Sequence, residues 1–181
     1  AAVWGHARVA QMSAVLNMLG QRLGYTAKEM DGFTETIRKK GIEMGVAQNT
    51  LQEFIRYEMD LTKSTELARV AQDAAVMSNS NSSATLDKLI YGIARQNSLI
   101  LRNAGLQVQA GQAIDDYAAS INKAASSLTS AERTQAVLNA VLKEGKKIQG
   151  AYEKSLTMPL KKLGSLVRVY DDISKAIGKT L

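Results

Sequence analysis

Apolar residues recur along most of this chain at spacings of three and four, the period that lines one face of an α-helix. Val9, Met12, Leu16, Leu19 and Leu23 mark a first helix, which Gly24 ends because glycine tolerates the left-handed conformation. Thr26 and Glu29 then form a capping box, in which the hydroxyl accepts from the amide three residues on and the carboxylate reaches back. The helix it opens turns Met30, Phe33 and Ile37 inward and stops at Gly41, completing a helical hairpin. After a glycine-containing connector, Asn49 is placed to cap a helix reaching Met59. Asp60 or Thr62 can cap the next one, whose apolar side holds Leu67, Val70, Ala71 and Ala74.

The tract 78–83 reads SNSNSS, side chains that compete with the backbone for hydrogen bonds, and predicts a loop. Leu86, Leu89, Ile90, Ile93 and Ile100 predict a single helix running to Asn103 and Gly105, and Ile114, Tyr117 and Ile121 a shorter one. Thr129 and Glu132 make another capping box. Ala136, Val137, Ala140, Val141, Ile148, Ala151, Tyr152 and Ser155 draw one stripe behind it, which predicts a helix from Thr129 toward Leu156. Pro159 fits the first turn of a last helix, where its missing donor costs nothing. There Leu160, Leu163, Val167, Tyr170, Ser174, Ile177 and Leu181 fall at heptad a and d positions, with Leu166 and Ile173 flanking. Either that helix enters a longer coiled coil, or it is a broad-faced helix packing on its own domain.

The expected fold class is therefore all-α: a compact multi-helix bundle of short antiparallel helices over 1–156, and a longer heptad-like helix over 157–181 leading into a rod. Leu160, Leu163, Val167, Tyr170 and Ile177 are the candidate oligomer or partner interface. Composition sharpens this picture. One Pro, two Phe, one Trp and no Cys in 181 residues leave little for β-rich turns, disulfides or thiolate chemistry, and permit a reducing compartment. No run approaches the ~20 apolar residues that cross a bilayer, and the amino-terminal residues lack the pattern of a secretory signal. Ala at position 1 fits either a removed initiator or a fragment of something longer.

Reactive constellations are scarce. The single histidine, His6, sits in a first helix expected to fray, which argues against histidine-based catalysis and against metal sites built on His or Cys. Asp115-Asp116 and Asp171-Asp172 are neighbours in sequence, and successive helical residues point about 100° apart, so neither reads as a working carboxylate pair. Neither GxxxxGK[ST] nor GxGxxG occurs. The net charge of +6 gathers at the carboxyl end, where 143–181 holds nine cations against four acids. A solvated helix face explains that best, an acidic protein partner next and DNA last, because acids interrupt the basic residues and aromatics for base stacking are few.

One stretch, 105–155, resembles phage tail length tape measure proteins. A short helix ends at Tyr117-Ala118; a linker follows, then Leu128-Thr129, Ala131 and Glu132 at a helix start, Gln135-Ala136, Leu138-Asn139-Ala140-Val141-Leu142, Glu144-Gly145, and Ala151-Tyr152-Glu153. A weaker likeness covers 67–78 and 83–93, so the resemblance spans about half the chain, and it includes no catalytic fingerprint. It implies a structural protein without cofactor, enzyme activity or small-molecule substrate. Such a scaffold sets tail length during assembly and is released during DNA ejection. Its implied partners are the tail tube, the tail assembly chaperone, the tail tip proteins and further copies of itself as a homo-oligomer. Its implied places are the lumen of the tail tube in the virion and, during assembly, the host cytoplasm. Two other classes stay open: a cytoplasmic helical adaptor or effector domain that binds a protein partner, and an architectural DNA-binding module whose affinity would collapse with salt.

Overall fold

The computed structural model describes residues 2–157, without the side chains of 2–6 and 8. Pro159, the last helix expected after it and the proposed interface residues Leu160, Leu163, Val167, Tyr170 and Ile177 lie outside the described residues, as does the side chain of His6. Within them the chain is all-helical: α1 (Ala2–Arg22), α2 (Ala27–Arg38), α3 (Met44–Arg56), α4 (Ser64–Met77), α5 (Ser82–Ala94), α6 (Ser98–Asn103), α7 (Ala110–Ser120), α8 (Ser130–Gly145) and α9 (Ala151–Ser155).

Both capping boxes form where the spacing places them. Thr26 Oγ1 accepts from the Glu29 amide at 3.2 Å while Glu29 Oε2 accepts from Thr26 N–H at 2.7 Å, and Gly24 ends the preceding helix at φ +86°. Neither candidate caps α4 itself, which follows Lys63 without a side-chain cap; the capping side chain stands one element earlier, at Asp60. It accepts from Thr62 N–H at 3.0 Å and starts the 3-10 turn Leu61–Lys63 that leads into the helix.

Four expectations about helix limits are corrected. Asn49 lies inside α3, which begins at Met44 with no side-chain cap; a tertiary bond from Glu43 N–H to Ser83 Oγ at 3.0 Å holds the entry instead. The polar tract is a shorter break than its composition predicts, because Asn81 caps α5 through the Ala84 amide and makes Ser82 and Ser83 helical and buried. The helix expected to reach Asn103 breaks at Gln96, which takes φ +52°, and Asn97 caps α6 through the amides of Leu99 and Ile100. The return is tight: Leu101 lies so close to Gly92 that a Cβ there would meet its Cδ2 at 2.8 Å. The helix expected to reach Leu156 stops at Gly145, passes through the 3-10 turn Lys146–Ile148, and restarts as α9 after Gly150 at φ +84°.

Helix α4 is the centre of the packing, with α2, α5, α8 and α9 all against it. Nine of its fourteen residues are buried, Leu67, Val70, Ala71 and Ala74 among them. Helix α1 packs on α2 and α3, and α7 packs on α8. Three buried threonines need no tertiary partner, since Thr34, Thr50 and Thr134 donate to the carbonyls of Met30, Val46 and Ser130 one turn earlier, whereas the buried Thr85 hydroxyl has no hydrogen-bond partner among the described residues.

Candidate functional site

The residues of the 105–155 stretch converge on α8 and its neighbours, and most have a structural task. Thr129 Oγ1 accepts from Glu132 N–H at 3.1 Å and Glu132 Oε2 from Thr129 N–H at 2.8 Å. Lys123, from the linker before the box, pairs with the other carboxylate oxygen. That ammonium, followed by the Thr129 amide, holds the Glu132 carboxyl below the usual carboxylate range. Gln135 ties α8 to the connector before α4, its Oε1 accepting from Asp60 N–H at 3.2 Å while its Nε2 donates to Asn139 at 2.9 Å. Ala136, Leu138, Val141 and Leu142 are buried in the core. Gly145 is where α8 crosses α4: a Cβ there would lie 2.3 Å from Val70 Cγ2, so only glycine fits this approach.

The start of α9 is held from outside the stretch. Asp73 Oδ1 on α4 accepts from Tyr152 N–H at 3.0 Å, and its Oδ2 accepts from Arg69 Nη1 at 2.9 Å. The side chain of Asp73 is 3% exposed, so this is a buried carboxylate with both oxygens satisfied, one of them at the amino end of a helix. Sequence reading passed it over; its one signal is an acid set among the apolar residues of α4.

What the stretch leaves unused by packing is an open groove of about 440 Å³ between α7 and α8. Val108, Ala113, Tyr117, Ala136 and Ala140 supply its apolar lining, and Gln107, Gln109, Gln112 and Asn139 its amides. Of the charged residues at its edge, Asp116, Glu144 and Lys147 are held by neighbours, and Lys143 is the fourth. Gln112 donates to Asp116 at 2.7 Å, and Lys147 bridges Glu144 at 2.6 Å. Such a surface suits contact and amide hydrogen bonding with another chain. Its lining brings no nucleophile to a base, and the described residues hold no cluster of His, Cys, Asp or Glu able to hold a metal ion. Tyr117, Ala136, Asn139, Ala140 and Glu144 belong to the resemblance, whereas Gln107, Gln109 and Gln112 do not and were missed.

No family model matches the chain, and no curated protein or solved structure matches it.

A second groove, about 430 Å³, lies between α3 and α5 and is lined by Glu53, Arg56, Tyr57, Asp87, Tyr91 and Arg95 among others. Arg95 lies over the Tyr91 ring at 5.6 Å, and Arg56 pairs with Glu53 at 3.2 Å. Loss of water around Asp87, reinforced by the Glu43 carboxylate, raises its pKa above the ordinary 3.8. Among the described residues no helix is long and apolar enough to cross a membrane.

Proposed function

We propose that this chain is a structural domain of a phage tail tape measure protein, a folded helical unit joined to a rod that begins near Pro159, with no catalytic activity of its own. The observation that carries this reading is the order of residues from Leu128 to Glu153, which resembles the family's pattern of a helix start followed by a helix of the form QA-x-LNAVL-x-EG…AYE. The fold is consistent with it, since those residues cap and pack helices. A helical scaffold suits length control because its rise is fixed at about 1.5 Å per residue, so residue count becomes distance. In this reading the groove between α7 and α8 meets a tail tube, chaperone or tip protein, and Leu160, Leu163, Val167, Tyr170 and Ile177 join copies of the chain.

The test is an in-frame deletion of these 181 codons in the phage or prophage that carries them, with tails counted and measured by electron microscopy. Tails that are missing or altered in length support the reading. Tails normal in number and length overturn it.

A helical adaptor is the second reading, supported by the two open grooves. It requires the chain to be absent from purified tails, which mass spectrometry of tail particles decides.

A further inference from the structure

Helix α7 is held from one side only. Among the described residues it packs on α8 and on the 3-10 turn Ala125–Ser127 that follows it, whereas every other helix of ten or more residues has at least two substantial helical neighbours. Its buried residues are Ala110, Ile114 and Ala118, two of them offering a single methyl, against seven on α8. Little apolar area therefore resists its displacement. The groove described above runs along the same seam, with Ala113, Asp116 and Tyr117 of α7 on one wall and Asn139 and Ala140 of α8 on the other.

Both ends of this helix are tethered. At one end the Ala110 amide donates to Ser98 Oγ at 2.9 Å, just after the buried Leu106 and Val108. At the other, Asn122 takes φ +54° and Lys123 N–H donates to Ala118 O at 2.9 Å, which closes residues 110–123 as one unit. The exposed Ala124 is extended, and Arg133 Nη2 holds the carbonyl of the next residue, Ala125, at 2.8 Å. The Lys123–Glu132 ion pair links the end of the unit to α8, and water can take the place of so exposed a contact.

We propose that residues 110–123 form a hinged wall, which lifts from α8 and reseats while the rest of the bundle stays folded, and so widens and narrows the groove. Ala110 and Ala124 are its pivots, because the chain is fixed to the body just outside each. Tethering at both ends returns the helix to its seat, which a frayed terminus would lack. Lifting it breaks one ion pair and uncovers Ile114 and Ala118, while α8 keeps its packing on α4 and α5. So small an exposure costs far less than unfolding the whole chain. The use of this wall to regulate contact rests on the groove being the partner surface proposed above; the motion does not.

Native-state hydrogen exchange of the unmodified chain, followed in rising urea, tests this. Amides of 114–118 exchange about a hundredfold or more faster than those of 67–74 on α4 and 134–142 on α8, and with a shallow urea dependence, because little surface opens. Because the chain has no cysteine, Ala118→Cys and Ala71→Cys, at positions 2% and 0% exposed, place one buried thiol in each region. Below the urea midpoint the first reacts with a thiol reagent about tenfold or more faster than the second. Should either variant fail to fold, exchange in the unmodified chain decides alone. Equal protection of α7 and α4 overturns the proposal, as do equal labelling rates or a steep urea dependence shared with the whole fold. Loss of protection in α8 together with α7 overturns it too, since wall and body then open as one. The two readings fail separately: normal tails after the deletion leave an exchange difference standing, and uniform exchange leaves the tape measure reading standing with a rigid groove.

Discussion

Helices α4 and α1 are held in different ways. Helix α4 buries nine of fourteen residues, and its buried carboxylate, Asp73, has a partner on each oxygen. Helix α1 is longer, at twenty-one residues, but among its described side chains and glycines only Leu16 and Gly20 are buried. Its seam with α3 is partly polar. Gln48 Nε2 donates to Val9 O at 3.2 Å and Ser13 Oγ at 2.8 Å, while Gln48 Oε1 and Asn17 Oδ1 are buried with no hydrogen-bond partner among the described residues. A buried acceptor without a donor keeps its desolvation cost. One atom without a partner among the described residues, Thr85 Oγ1 on α5, is buried near α4 as well, but two lie in the seam beneath α1, where far fewer residues are buried, so stability should grade from the centre of the fold to α1.

The sharpest test of that gradient removes one polar group from each region. Asp73→Ala strips the partner from Arg69, which can still reach water, and the cap from α9, and should cost about 2–4 kcal/mol, a charge-assisted hydrogen bond plus a cap. Gln48→Leu loses two donor bonds but also removes an orphan acceptor, and should cost about 1 kcal/mol or less. Urea midpoints decide it. Equal costs for the two variants would end the distinction between the two regions.

A smaller effect comes from the same substitution at two helix crossings. Gly145→Ala drives a methyl into Val70, whose β-branched side chain has little rotamer freedom, and should destabilise by about 1–3 kcal/mol. Gly20→Ala meets Met30 Cγ at 2.4 Å, and the buried Met30 must repack to make room, but it is unbranched with more rotamers open to it than Val70, and alanine favours the helix by up to about 1 kcal/mol. Its net cost should be below that of Gly145→Ala. A thermal melt in which Gly20→Ala is the worse of the two would show that α1 is seated as firmly as α8.

Much of this was legible in the chain itself, but unevenly. The capping boxes at Thr26 and Thr129 could be read because both partners lie within four residues and the geometry is local. The breaks at Gln96 and Gly145 were missed because the apolar period continues across them; each is fixed by a neighbour distant in sequence or across a turn, Leu101 against Gly92 and Val70 against Gly145. Asn49 failed as a cap for a related reason, since Ser83, forty residues from Glu43, holds the entry to α3. The groove between α7 and α8 was half legible: Tyr117, Asn139 and Ala140 stood in the resemblance, but only the packing of two helices brings Gln109 and Gln112 beside them.

The two capping boxes give the smallest and most local version of the comparison. One opens α2, beneath α1; the other opens α8, against α4. Thr26→Ala and Thr129→Ala should each cost about 1 kcal/mol. Their carboxylates separate them further. The Thr26 amide holds the Glu29 pKa below the ordinary 4.5, whereas for Glu132 the first cause is the Lys123 ammonium and the Thr129 amide comes second. In both cases the folded pKa lies below the unfolded one, so the unfolded chain binds more protons in acid. The stabilisation is fully present above about 4.5 and is lost as pH falls through the folded value. Asp87 has the opposite sign: its raised pKa means that ionisation opposes folding, a penalty that sets in as pH rises from 3.8 through the folded value. Carboxyl-carbon NMR titration reads all three groups in one experiment. Lys123→Ala should move Glu132 upward and leave Glu29 where it is; a Glu132 titration unmoved by that substitution would mean that both boxes are held by their threonines alone and that the contact from the linker adds nothing.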